Sequence, residues 1–224
     1  MSKGKITPKN ILHGNKKKQE KITLENLLEV ASSDNVSDAM KNLYGKDGLI
    51  NGIKPIDPSY KVVGKIKTAT TNSYDWGTGI KGIYNTNIDE ILFIKCSDDE
   101  YAVWGEMASK AAQKQGLKAT VIYGVSRDTE DIIKLNYKVF SKDIKSHAGL
   151  PSNNGLLNER IVIDDNIICN GDVLVGDMDG VVIIPQEKVE EVLHEVENIK
   201  KFETESLKEM IDKEIPLDEV LGIK

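Results

Sequence analysis

Residues 91–131 read ILFIKCSDDEYAVWGEMASKAAQKQGLKATVIYGVSRDTED, and this stretch decides the fold. Ile91–Cys96 is an apolar run of strand length. Residues 104–116 put Met107, Ala108, Ala111 and Ala112 on one helical face, and Gly116 supplies a stop. Ala119–Tyr123 is a second short apolar strand. Strand, helix and strand in close succession make a βαβ unit with parallel strands. Residues 91–124 are therefore predicted as the centre of a layered α/β domain.

On the N-terminal side, Thr23 can cap a helix to about Val30, with Leu24, Leu27 and Leu28 on one face. Asp34 or Asn35 can cap a second helix near Val36–Leu43, ending at Gly45. Residues 45–59 read as a loop, Tyr60–Thr70 as a strand, and 71–79 (TNSYDWGTG) as neither helix nor strand, with a short helix before Ile91. On the C-terminal side, Asp128 or Thr129 can cap a short helix, and Tyr137–Phe140 is a strand. Ser146–Asn158 is loop-like. Strands follow at Arg160–Ile163, Ile167–Cys169, Val173–Val175 and Val181–Ile184, with turn signals at Gly171-Asp172 and Asp179-Gly180. From Gln186 to about Lys213, Val189, Val192, Leu193, Val196 and Ile199 recur at helical spacing, and Pro216 follows.

The chain has 224 residues, 39% hydrophobic and 29% charged, which suits one compact domain. No apolar run approaches the roughly 20 residues of a membrane helix. Cys96 and Cys169 form no CxxC pair, and the lysine-rich start is no secretory signal, so free thiols in a reducing cytoplasm are expected. Residues 1–21 hold seven Lys and one Glu, whereas residues 186–224 hold six Lys and twelve acids. The basic arm has neither aromatics nor arginine, so it reads as a solvated tail rather than a nucleic-acid-binding segment. Of 30 cationic side chains only Arg127 and Arg160 are arginine. Arginine is the one side chain with a planar fork for carboxylate recognition.

The strongest chemical constellation lies in the βαβ unit. A helix starting near Gly105 offers the backbone N–H groups of Glu106, Met107 and Ala108, and glycine lets an anion approach them. The loop after the next strand carries Arg127 and Asp128. Both loops open at the carboxyl ends of neighbouring parallel strands, where ligands of open α/β sheets bind. Arg127 and the amides suit a small oxo acid, and Asp128 suits a hydrated divalent cation, with Asp131 one turn on reaching it through water. On spacing alone the same residues read more simply as a salt-bridged Arg-Asp pair capping a helix. The turn of Asp177, Asp179 and Gly180 reads as a cation loop or, more simply, a strand connection. His13, His147 and His194 have no partners at ligand spacing, and Tyr74 and Trp76 either line a pocket or pack.

Gly105-Glu-Met-Ala108, Tyr123-Gly-Val-Ser-Arg-Asp128, Gly171-Asp172 and Asp177-Met-Asp-Gly-Val-Val-Ile-Ile-Pro185 together resemble the 4-hydroxy-4-methyl-2-oxoglutarate aldolase family, which is homologous to the regulator of ribonuclease E activity (RraA-like). The resemblance covers roughly residues 22–224, leaving 1–21 as a separate arm. It implies a swivelling β/β/α domain with a long C-terminal helix, assembled as a homotrimer or as a hexamer of two trimers with sites between subunits. It implies a class II lyase that uses Mg²⁺ or Mn²⁺ to cleave 4-hydroxy-2-oxo acids to pyruvate and to decarboxylate oxaloacetate, both through a pyruvate enolate.

On that resemblance Asp128 is the direct metal ligand, Asp131 its water-mediated partner, and Arg127 the substrate-binding arginine. The Gly105 loop, with Glu106, Met107 and Ala108, binds the pyruvoyl carboxylate, and Glu106 stands near the metal waters. Asp38 and Glu203 match glutamates that reach a neighbouring subunit's site, Asp38 being one methylene shorter. Met107-Ala108 replaces a leucine pair, and the Asp75-Trp76 loop follows the pattern loosely. The alternative reading is a non-catalytic protein that regulates an RNA-degrading enzyme, docking through the final helix and acidic surface.

Overall fold

The computed structural model describes residues 31–223. The basic arm, His13 and the helix expected over 23–30 lie outside the described residues. No described helix is long and apolar enough to cross a membrane. Helix α1 (Ser33–Tyr44) is followed by strands β1 (Lys54–Pro55) and β2 (Val62–Thr71), α2 (Gly77–Asn85), β3 (Ile91–Cys96), β4 (Ala102–Trp104) and α3 (Glu106–Gln115). Next come β5 (Ala119–Ser126), α4 (Thr129–Leu135), β6 (Lys138–Ile144), β7 (Leu156–Leu157), β8 (Ile161–Ile163) and β9 (Asn166–Ile168). The chain ends with β10 (Val173–Asp177), β11 (Gly180–Ile184), α5 (Val189–Asp212) and α6 (Leu217–Leu221).

Among the described residues nine strands form one sheet in the order β1-β6-β5-β3-β2-β10-β11, with β4 beside β5 and β7 beside β2. Strands β2, β3, β5 and β6 run parallel, and β10, β11 and β1 are antiparallel to their neighbours. The predicted βαβ unit stands: β3 and β5 are parallel neighbours, pairing Ile91 with Ala119 through Lys95 with Tyr123. Gly116 ends α3 in the left-handed region (φ 85°), the conformation that favours glycine at a helix end.

The sheet nearly closes into a barrel. Residues 48–56, expected as a loop, bridge its two edges. Gly48 and Ile50 exchange backbone hydrogen bonds with Ile183 and Val181 of β11, and Lys54–Pro55 pairs with Phe140–Ser141 of β6. Glycine and proline disguise this segment in the sequence, yet Pro55 suits an edge position, where its missing N–H is tolerated. The barrel interior is apolar, with Ile66, Ile91, Phe93, Val121, Phe140, Leu174 and Ile183 among its buried members. A second core lies under α2, α3 and α4, and a third under α1 and α5. These layers make the α/β, β/β/α arrangement with a long C-terminal helix.

Other boundaries moved. Trp104, read as the start of a helix, belongs to β4, which pairs with Val125 and Ser126 of β5. Three buried residues are too few to show strand periodicity. Strand β5 runs on to Ser126, and α2 already begins at Gly77 because Asp75 accepts hydrogen bonds from the Gly77 and Thr78 amides. Helix α1 starts at Ser33, ahead of the expected cap, because Asp177 reaches across from the β10–β11 turn. Its carboxylate accepts from the Ser33 amide (2.7 Å) and hydroxyl (2.5 Å). The Asp177–Gly180 turn is thus a strand connection that also anchors a helix. Helix α6 was unforeseen.

Candidate active site

Two adjacent loops at the carboxyl ends of β4 and β5 build the site. Gly105 follows β4 and precedes α3, and Arg127 and Asp128 follow β5. The Arg127 amide donates to the Trp104 carbonyl (2.9 Å), which locks the loops together. Asp128 stands in the left-handed region (φ 58°, ψ 36°), which aspartate tolerates better than most residues. In that conformation its carboxylate does not cap α4. It turns back to the neighbouring loop, where Oδ2 accepts from the Glu106 amide (3.1 Å). Arg127 Nε lies 3.6 Å from the same oxygen. No described donor meets Oδ1, and both side chains remain partly solvent-exposed.

The absence of a side chain at position 105 is what permits this approach. A Cβ there would come 2.4 Å from Asp128 Oδ2 and 3.2 Å from Arg127 Cγ. Gly105 itself is extended (φ −158°), so the constraint is space rather than backbone strain. The amides at the start of α3 lack intrahelical partners, as at any helix start, and carry partial positive charge.

The other expected residues are placed as follows. Glu106 faces the rim, but its carboxylate pairs with Lys110 one turn along. Met107 is 84% exposed rather than on the apolar face, because it sits one residue, or about 100°, from the buried Ala108. Asp131 points outward and pairs with Lys134 at 3.5 Å. Asp38 is exposed on α1, and exposed Glu203 on α5 accepts from Asn35 of α1 (3.5 Å). Within one chain, Asp38 and Glu203 lie on the α1–α5 layer over β10 and β11, apart from the Arg127 rim. Arg160 is exposed just ahead of β8, and no described contact joins it to Arg127 or Asp128. His194 sits on the outer face of α5 near Glu197 (4.0 Å), and His147 packs edge-on against Tyr101, which does the same with Tyr74. Cys96 and Cys169 are free, and burial pushes the Cys96 thiol up to about 12. Among the described residues no group of three or more His, Cys, Asp or Glu side chains gathers as a metal cluster.

Sequence reasoning missed Asp75, which is only 1% exposed. Its carboxylate accepts from Thr71 and Thr78 hydroxyls and from the amides of Gly77, Thr78, Asn153 and Asn154. Burial alone would raise its pKa. The Thr78 hydroxyl, the Asn154 and Asn153 amides and the Thr71 hydroxyl outweigh that and hold it at about 2. The signal was present in the chain: an Asp two and three residues before Gly77 and Thr78 is a helix-start pattern. Trp76 adds a bond from its indole to the Gly149 carbonyl (3.0 Å), so it packs.

The sequence pattern of the RraA-like family, described as Aldolase/RraA, matches residues 33–183. An uncharacterized protein of Methanocaldococcus jannaschii is 37% identical over 178 residues, 78% of this chain and 85% of that protein. A Halalkalibacterium halodurans protein bearing the name "Putative 4-hydroxy-4-methyl-2-oxoglutarate aldolase" is 30% identical over 159 residues, 70% of this chain and 74% of that one. A crystal structure of a protein from Pseudomonas syringae pv. tomato superposes with a TM-score of 0.78 at 27% identity, covering 90% of this chain and 93% of that one. The matched span includes the Gly105 loop, the Arg127-Asp128 turn and the β10–β11 hairpin, and on that basis the chain belongs to the RraA-like family.

Proposed function

We propose that this family member is a divalent-metal-dependent lyase that releases pyruvate from 4-hydroxy-2-oxo acids and decarboxylates oxaloacetate. The observation that carries the reading is the rim itself. One guanidinium, one carboxylate with an unengaged oxygen and a helix start meet at a glycine cradle that a Cβ would fill. A single open carboxylate suits a cation that keeps most of its waters, as Mg²⁺ and Mn²⁺ do. Asp128 would hold it, and Asp131 lies one helical turn further on. When bound, the cation supplies Lewis acidity to the substrate's 2-oxo oxygen.

The chain's own groups do the rest. The α3 amides and Arg127 bind the carboxylate and orient the oxo group. As the C3–C4 bond breaks, its electron pair passes through C3 onto the 2-oxo oxygen, where the Arg127 fork would stabilise the charge. The C4 fragment leaves as CO2 or, with its 4-hydroxyl proton lost to water, as the second oxo product. C3 takes up a proton from water to give pyruvate. Asp38 and Glu203 complete the site from a neighbouring copy in a trimer or hexamer. The family likeness to an aldolase-named relative supports the chemistry.

The test is pyruvate release from oxaloacetate and a panel of 4-hydroxy-2-oxo acids, with Mg²⁺, Mn²⁺ or EDTA. Activity above the metal-only rate that EDTA abolishes is expected; equal rates with and without protein refute the reading. Arg127→Lys keeps the charge but loses the fork, and kcat/KM is expected to fall about 100-fold. A fall under about fivefold would remove the arginine from this role. Gly105→Ala is expected to leave the fold intact, since its backbone is extended, yet displace Asp128 and cost about 100-fold in activity. A folded Gly105→Ala variant with wild-type turnover contradicts the cradle. The same family description also covers RraA-type proteins, and binding of an RNA-degrading enzyme without pyruvate release would favour that alternative.

A further inference from the structure

Behind the rim lies a hydrogen-bonded pair that the proposed chemistry does not yet use. The indole of Trp104 donates to Ser109 Oγ (2.9 Å), and both side chains are buried, Ser109 completely. Ser109 in turn donates from Oγ (3.0 Å) and from its amide (3.0 Å) to the Gly105 carbonyl. That carbonyl and the Glu106 N–H belong to one planar trans peptide, so fixing the direction of one fixes the other. The Glu106 N–H is the group on which Asp128 Oδ2 rests (3.1 Å). Trp104 also accepts the Arg127 amide on its own carbonyl (2.9 Å), so one buried residue holds both halves of the rim.

We propose that Trp104 and Ser109 are positioning residues that set the plane of the Gly105–Glu106 peptide, and through it the carboxylate-binding amides and Asp128. The Ser109 amide alone holds the carbonyl at one point; the hydroxyl, itself oriented by the indole, supplies the second constraint. A helix-start serine whose hydroxyl bonds back to the preceding turn is common. Here its hydroxyl is instead the middle of a chain running from the core to the candidate metal ligand. The inference rests on the lyase reading for its kinetic consequence, but the geometry it concerns can be read without turnover.

The experiment compares wild type, Ser109→Ala, Trp104→Phe, the double variant and Ser109→Thr. Ser109→Ala and Trp104→Phe are each expected to raise KM for oxaloacetate about five- to tenfold while kcat stays within about threefold, the pattern of lost ground-state binding. The double variant is expected to be no worse than the poorer single variant, because both break the same chain. Ser109→Thr, which keeps the hydroxyl, is expected to stay within about twofold of wild type. In ¹⁵N-labelled protein the Glu106 amide resonance is expected to move in Ser109→Ala and to return in Ser109→Thr. A role in core stability alone predicts lower Tm with KM and the Glu106 resonance unmoved, and that result overturns the proposal. So do single effects that multiply in the double variant. If wild type releases no pyruvate while the Glu106 resonance responds as expected, the lyase reading fails and the positioning geometry stands.

Discussion

Replacing Asp128 by alanine is expected to lower kcat/KM for pyruvate release by about three orders of magnitude or more while leaving the protein folded. The folding cost is about 1–2 kcal/mol, mostly for alanine at the left-handed backbone (φ 58°), because the side chain is 38% exposed and its one hydrogen bond, to the Glu106 amide, lies at the surface. The functional cost is large because, among the described residues, Asp128 is the rim carboxylate that no lysine neutralises, and its Oδ1 is unengaged. Its neighbours Glu106 and Asp131 are already paired with Lys110 and Lys134. Asp128→Asn separates two contributions: it keeps an acceptor for the Glu106 amide but removes the charge. Both variants are expected to lose Mn²⁺ binding by calorimetry and to lose activity together. Asp128→Ala with activity within tenfold of wild type would sink the assignment.

The second large effect concerns stability. Asp75→Ala is expected to cost about 3–5 kcal/mol, because it leaves buried amides and hydroxyls without their shared acceptor. For a domain of this size that corresponds to a Tm lower by about 10 °C. The carboxylate ties the end of β2 and the start of α2 to the segment around Asn153 and Asn154. Its pKa is depressed to about 2 from 3.8. A depressed carboxylate stabilises the folded state above its unfolded value and loses that contribution as pH falls through the folded one. About 2–3 kcal/mol should therefore be present above about pH 4 and be largely lost towards pH 2. Urea titrations of wild type and Asp75→Asn at stepped pH check this: the gap between them should narrow over that window. A gap that stays constant down to pH 2 contradicts the assignment.

Much of the site was legible in the chain because its parts are local. Gly105 and the amides after it are consecutive, as are Arg127 and Asp128, and strand-end placement follows from the βαβ order. Asp128 was legible as a helix-start residue, but its left-handed backbone and its turn back to Glu106 were not. The direction of a short side chain depends on what stands opposite, here a position with no Cβ. Trp104 and Ser109 were read as parts of one helix. Only their burial on either side of Gly105 shows the indole and hydroxyl in contact. The two rare arginines likewise separate in space, Arg127 at the rim and Arg160 ahead of β8.

By itself the sequence determined the layered α/β class, the parallel βαβ centre, the long final helix and which residues make up the candidate rim. Those features depend on periodicity, turn chemistry and side-chain type, which act over a few residues. The tertiary structure decided how the sheet closes, through residues 48–56 bridging β11 and β6, and how Asp177 starts α1 from across the fold. It also decided that Asp75 is a buried anchor and that Asp38 and Glu203 lie apart from the rim within one chain. The sheet closure, the Asp177 anchor and the bonds from Asn153 and Asn154 to Asp75 are contacts between segments distant in sequence, fixed by hydrogen-bond satisfaction and burial once the layers pack, and no local pattern encodes them.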